Sequence, residues 1–157
     1  YVSASAKLKE ILDAKFEYWE SQKGIEVIKH RMSNLNGDKK LDKFLISFVK
    51  LHDNFVIDSW VLPWLVDGKN VIKILLKADK DIRVKRLANR DNIKNLKNAR
   101  DLLDQKDSMT SSIYKKAYGV DVLRDYSVFD LVIDNSNLSQ EKVLDIVSKF
   151  ILYSEKI

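Results

Sequence analysis

The chain of 157 residues contains no cysteine. Disulfides, thiolate zinc sites and a cysteine nucleophile are excluded at once. Histidine is nearly absent as well: His30 and His52 are the whole supply, too few for an imidazole-based metal cluster. Glycine is scarce too, and no pair among Gly24, Gly37, Gly68 and Gly119 has the spacing Gly-x-x-x-x-Gly-Lys-Ser/Thr. That loop holds donor phosphates on its backbone N–H groups in many phosphoryl-transfer enzymes. The single Gly-Lys step, Gly68-Lys69, lacks the earlier glycine and the hydroxyl and reads as a turn before a strand. No apolar run approaches the roughly 20 residues of a membrane-spanning helix, and the first residues show no signal-peptide pattern. The expected compartment is the cytosol or an organelle interior, with no membrane partner.

What is present is an ordinary helix-rich globular composition. Hydrophobic residues make up 45% and charged residues 32%, enough apolar surface to build a core, and the length fits one domain. The net charge of +5 and a pI near 9.2 favour polyanionic partners such as nucleotide phosphates or RNA. The lysines are spread along the whole chain, so this attraction is diffuse.

Periodicity divides the chain into alternating strands and helices. Residues 1–3 read as the tail of a strand. Leu8, Ile11, Leu12, Phe16 and Trp19 then recur at helical spacing and predict one amphipathic helix packed on a sheet. Ile25, Ile28 and Met32 predict a second, broken at residues 34–37. Leu41, Phe44, Leu45 and Phe48 follow i, i+3, i+4, i+7 and predict a third, with Asp38 and Asp42 near its start where the helix dipole favours acids.

Residues 54–58 and 71–77 read as short buried strands. Between them Trp60, Pro63 and Trp64 form an apolar ridge, either core lining under a loop or an aromatic platform for a base or a partner. Asp79 or Asp81 opens the next helix. On it Arg83, Arg86, Arg90 and, if the helix extends that far, Lys94 project within roughly 60–80 degrees, because each residue turns about 100 degrees. Such a stripe suits a triphosphate or RNA, or simply a solvated basic face. Residues 95–117 are polar and helical in tendency, and Gly119 should stop that helix. Residues 130–134 are apolar at every inner position, which calls for cover on both faces and so for a parallel sheet between helices. Ser139 caps the last helix, Glu141 sits in its first turn, and Val143, Ile146, Val147, Phe150 and Ile151 form its core stripe.

The run Tyr114-x-x-x-Tyr118-Gly119-x-Asp121, followed by Ser127-x-Phe129-Asp130-Leu131-Val132-Ile133-Asp134-x-Ser136-x-Leu138-Ser139, resembles the C-terminal part of the cytidylate-kinase-like family in its archaeal form. These proteins belong to the P-loop nucleoside monophosphate kinases. The resemblance extends more weakly back to Tyr1. It implies an α/β fold, a three-layer parallel sheet with helices on both faces, and a single domain over 1–157 with a helical lid at about 92–118. The family's first strand and phosphate loop fall upstream of the residues matching Tyr1 and are absent from the given sequence. In the family that strand lies mid-sheet, between the second and third strands visible here, so a chain starting at Tyr1 is expected to show a rearranged centre or a segment supplied by another molecule.

The resemblance also implies roles for particular residues. The family's strand-to-helix turn, Ser-x-Gly-Asp and an Arg, aligns with Ser3, Ser5, Ala6 and Lys9, which makes Lys9 a nucleotide-binding cation and leaves Ala6 where a carboxylate belongs. Arg86 and Arg90 match the nucleotide-binding arginines that open the lid. Lys106, eight residues before Tyr114, takes the place of a catalytic lid arginine; Ser112-Ile113 occupy the place of a second. Trp60 stands where an arginine reaches the monophosphate, and an indole cannot make its paired hydrogen bonds. Losing one preorganised charge donor raises a barrier by roughly 2.7–4 kcal/mol. These departures favour a degenerate scaffold without phosphoryl transfer, a structural or interaction subunit with protein or RNA partners in a larger ribonucleoprotein assembly and no cofactor in the chain as given. The alternative is an active kinase that uses ATP and Mg to phosphorylate CMP, its P-loop upstream of residue 1.

Overall fold

The computed structural model describes residues 1–16, 18, 19, 21–68 and 70–154. Lys69 of the Gly68-Lys69 step lies outside them. The described chain runs β1 (Val2–Ser3), α1 (Ala4–Ile11), α2 (Gln22–Ser33), α3 (Asn36–Leu51), β2 (Ile57–Asp58), α4 (Leu62–Leu65), β3 (Ile74–Lys77), α5 (Lys80–Arg90), α6 (Leu96–Tyr118), β4 (Leu131–Asp134) and α7 (Gln140–Ser154). It divides into two compact units, Tyr1–Gly68 with Arg100–Asp125, and Lys69–Ala99 with Tyr126–Ile157.

Every expected strand is present, and both strand pairings are parallel. In the first unit β1 pairs with β2, with Val2 opposite Ile57 and Ser3 opposite Asp58. In the second, β3 pairs with β4 in the register Ile74–Leu131 to Lys77–Asp134. The strands form two separate two-stranded ladders where the sequence suggested one sheet. Among the described residues each ladder consists of its two strands alone, so every strand keeps one unpaired edge. The architecture is therefore α/β and helix-rich, with short parallel strands.

The core of the first unit gathers Ile25, Ile28, Val61, Ile113, Tyr114 and Val122, with Trp19, Met32 and Trp64 packed against it. Helix α1 packs on α3, which brings Leu8, Leu41 and Leu45 inside. Two glycines are required, one by close packing and one by backbone conformation. A Cβ on Gly24 would come within 2.5 Å of the Trp19 carbonyl oxygen, so only glycine admits that close approach. Gly119 ends α6 at φ +72, the left-handed conformation expected of a helix-terminating glycine.

Three helix boundaries differ from the periodicity reading, each for a local backbone reason. Helix α1 stops at Ile11, leaving Phe16 and Trp19 beyond it, because Asp13 adopts φ 48 and its N–H and that of Ala14 return to the Glu10 and Lys9 carbonyls. This is the paired closure of a left-handed helix end, with aspartate in the place glycine usually takes. Helix α5 closes the same way at Asn92 (φ 53), with Ile93 N–H bonded to the Ala88 carbonyl. Lys94 therefore leaves the arginine stripe. Helix α3 begins at Asn36 and carries Gly37 within its first turn. In the second unit the α7 stripe is only half covered: Ile146 is 38% exposed and no residue of α7 is fully buried.

Candidate functional site

In the first unit, register pairing sets Ser3 and Asp58 side by side at the carboxyl end of β1 and β2. Ligands of open parallel sheets collect at that end, where the loops leave the strands. Ser3 is also the N-cap of α1: its Oγ accepts the Ala6 N–H at 3.4 Å and lies 3.1 Å from Ser5 Oγ. Ala6 is exposed and offers only a methyl where the resemblance implied a carboxylate. Lys9, one turn on, is half-buried; its Nζ donates to the Phe16 carbonyl at 3.1 Å and sits 4.6 Å from that ring's centroid.

Two residues past β2 the apolar ridge separates into different roles. Trp64 packs against the core and its Nε1 donates to Asp125 Oδ2 at 2.9 Å. Trp60 stays 38% exposed while its successors Val61 and Leu62 are buried. Ser59 Oγ accepts the Leu62 N–H at 3.3 Å and fixes the turn into α4. The Lys106 ammonium lies 5.8 Å from the centroid of the Trp60 ring, within the range of a cation–π attraction. Farther along α6, Ser112 Oγ donates to the Ser108 carbonyl at 2.8 Å, and Ile113 is a fully enclosed core residue. Position 113 thus serves packing in this chain.

The same unit holds a polar network that periodicity did not reveal. Arg31 is buried, and its Nη2 donates to Asp38 Oδ1 at 2.5 Å while Nε reaches both Asp38 oxygens at 3.2 Å. Burial alone would lower the Arg31 pKa; the Asp38 bond and charge outweigh it and leave it raised. Asp42, also buried, accepts the Tyr118 hydroxyl. Burial lifts the Asp42 carboxyl to about 6, against the lowering effect of Tyr118, and the Asp38 charge adds to the rise. Burial likewise pushes Tyr114 up to about 12 and raises Tyr118. The acids read as complements to a helix dipole are instead internal partners of Arg31 and Tyr118. A signal existed for Arg31, which falls three residues after Ile28 on the apolar face of α2. Nothing in the sequence pointed to Asp38 as its partner.

The second unit has its own carboxyl-end cluster. Lys77 and Asp134, register partners at the ends of β3 and β4, form an ion pair at 2.9 Å. Asp134 Oδ1 also accepts the Ser136 hydroxyl and N–H, and these bonds with the Lys77 contact hold its carboxyl well below the usual range. Ser136 Oγ in turn accepts the Asp79 N–H at 2.7 Å and ties β4 to the start of α5. Arg86 is fixed by two bonds at 2.8 Å to the side chain and carbonyl of Asn135. Arg90 pairs with Asp91 at 2.6 Å. The four cations singled out in the sequence thus divide between the units, Lys9 and Lys106 in the first, Arg86 and Arg90 in the second. Among the described residues no group of three or more metal-ligating side chains is gathered, and no helix is long and apolar enough to cross a membrane.

The Cytidylate kinase-like family matches this chain over residues 4–137. A cytidylate kinase of Sulfolobus acidocaldarius is 37% identical over 110 residues, covering 70% of this chain and 59% of that protein. One from Sulfurisphaera tokodaii is 30% identical over 151 residues, 96% of this chain and 80% of the relative. One from Saccharolobus islandicus is 32% identical over 131 residues, 82% and 68% respectively. The chain thus spans less than two thirds of the first of these relatives. No solved structure matches it. The family match covers far more than half of the sequence and includes the Tyr114 to Ser136 pattern and strands β2, β3 and β4: the chain belongs to the cytidylate kinase-like family.

Proposed function

We infer that this chain carries the acceptor and lid portions of an ATP-dependent nucleoside monophosphate kinase that phosphorylates CMP or a related pyrimidine monophosphate. The observation that carries this reading is the pair of parallel ladders, β1·β2 and β3·β4, each presenting its polar cluster at the carboxyl end and each retaining an unpaired edge. The relatives' names support CMP as acceptor. In the reaction an oxygen of the acceptor's 5′-phosphate forms a bond to the γ-phosphorus of ATP; the bond from that phosphorus to the β–γ bridging oxygen breaks, and ADP departs with the electron pair. ATP and Mg supply the transferable group and its charge neutralisation. By the resemblance, Lys106 would serve the phosphoryl group passing to the acceptor phosphate, Arg86 and Arg90 the donor phosphates, and Lys9 the acceptor nucleotide. The four glycines offer no phosphate cradle of their own.

A second reading rests on Ala6 and Ile113. A methyl where a carboxylate is implied and a core side chain where a lid cation is implied suit a scaffold kept for interaction, with protein or RNA partners. One assay separates the two readings. The full-length natural protein, given ATP, Mg and a panel of CMP, UMP, dCMP and AMP, is expected to turn over a pyrimidine monophosphate at about 1–100 per second, as kinases do. No turnover with any of the four would overturn the enzyme reading in favour of the scaffold.

A further inference from the structure

Trp60 and Lys106 form a pair whose geometry goes beyond packing. Trp60 lies two residues past the carboxyl end of β2, on a turn fixed by the Ser59 cap before it and by the burial of Val61 and Leu62 after it. The residue keeps 38% of its surface in solvent although Trp64, four residues on, is tied to Asp125 and packed against the core. Lys106 comes from a different element. It sits three residues after Leu103 and four before Thr110, both buried, and so projects from the packed side of α6. A flexible lysine in that position would sample several rotamers in free solution, at a cost of up to about 2 kcal/mol when ordered. The indole face is one of its contacts: the ammonium lies 5.8 Å from the ring centroid, near the end of the ladder where ligands of parallel sheets gather.

We propose that Trp60 is a positioning residue, its indole face holding the Lys106 ammonium at the carboxyl end of β2 so that the cation meets the phosphate of the acceptor nucleotide. This rests on the kinase reading for its substrate class and adds a residue that reading does not use. A side chain with no charge thereby contributes to anion recognition through a neighbour on another element. The residue is partly open to solvent, so substitution there is expected to leave the fold intact.

The test is a double-mutant cycle on the full-length protein with Trp60→Leu, Trp60→Phe, Lys106→Ala and Trp60→Leu/Lys106→Ala. Trp60→Leu is expected to raise KM for CMP or lower kcat by about three- to tenfold, the scale of one cation–π contact. Trp60→Phe, which keeps an aromatic face, should remain within about twofold of the natural protein. In the Lys106→Ala background Trp60→Leu should add nothing, and thermal midpoints of the Trp60 variants should stay close to the parent. Equal effects of Trp60→Leu with and without Lys106, or a Phe variant as impaired as the Leu variant, would overturn the proposal while leaving the kinase reading standing. If the natural protein turns over no monophosphate, the kinase reading fails by itself, and the same cycle is read on the dissociation constant for CMP by calorimetry at low salt. Coupling between the two positions there sustains the proposal; additive effects or no CMP binding end it.

Discussion

At the scale of single residues, the informative positions are polar groups on apolar faces. Asp42 shows why. Its carboxyl is buried against Tyr118 and near Asp38 and Arg31, and its pKa stands at about 6 in the folded chain against an ordinary 3.8. Between those two values the folded state keeps a proton that the unfolded state has released. Stability from this group is therefore complete below about pH 4 and is lost as pH rises toward 6. A shift of about two units corresponds to ~3 kcal/mol. Asp134 and Glu141 are shifted down, so their stabilising effect is lost on acidification and partly masks the trend in the parent protein. Asp42→Asn removes the one titration and keeps a carbonyl to accept the Tyr118 hydroxyl. The stability of Asp42→Asn relative to the parent should accordingly be greater at pH 7 than at pH 4, by ~3 kcal/mol, in urea unfolding followed by circular dichroism. An unchanged difference would mean that Asp42 ionises freely in the fold. Trp60 belongs to the same scale: its residue type was read as either core lining or a stacking platform, and the ammonium above it came from a helix some forty-six positions away. Pairing between distant positions has no sequence periodicity, which is why the Lys106–Trp60 contact was not legible; Arg31 and Asp38, seven positions apart, meet only because of the turn between α2 and α3, whose geometry periodicity does not give.

At the scale of elements, the sequence was readable where a residue's own chemistry decides the backbone. Gly119 ended α6, and Ser139 capped α7 by accepting the Lys142 N–H. The strands near 57, 74 and 131 appeared where apolar runs placed them. Reading failed where an ordinary residue took a glycine's conformation, at Asp13 and Asn92, since polar side chains enter the left-handed region only a few per cent of the time. The two constrained glycines make the energetics measurable. Gly119→Ala meets nothing within 4 Å of the new Cβ, so its cost is the left-handed backbone alone, about 1 kcal/mol. Gly24→Ala drives a Cβ to 2.5 Å from the Trp19 carbonyl oxygen and 2.6 Å from that of Tyr18, both backbone atoms that cannot swing aside. It must shift the turn preceding α2, and Trp19 with it. Gly24→Ala is expected to lower the unfolding free energy by more than Gly119→Ala, by about 2 kcal/mol or beyond. The reverse order in chemical denaturation would show that the segment before α2 yields easily.

At the scale of the molecule, the two units differ in how much they bury. The first encloses Ile28, Leu45, Val61 and Ile113 almost completely. The second rests on Val84, Leu87, Ala88 and Ile133, while Leu144, Leu152 and Tyr153 of α7 remain largely in solvent. Strand β4 was read as requiring cover on both faces, yet Val132 is 38% exposed and Leu76 of β3 is 50% exposed. The sequence specifies a strand for burial, and the described chain does not fully bury it. An element stabilised by half-covered side chains opens locally at a lower free energy than one whose side chains are enclosed. Since a fully buried aliphatic side chain contributes about 1.5–3 kcal/mol, the loss of one or two such contributions in α7 separates it from the α2 and α6 core by roughly a hundredfold in exchange rate. Native-state amide exchange at neutral pH should find Val147 and Phe150 exchanging through openings far more frequent than those that expose Ile28 and Ile113. Equal protection across these four positions would mean that the second unit's apolar faces are held as tightly as the first unit's core, and that the exposed Leu76, Val132 and Leu144 mark no weakness in the fold.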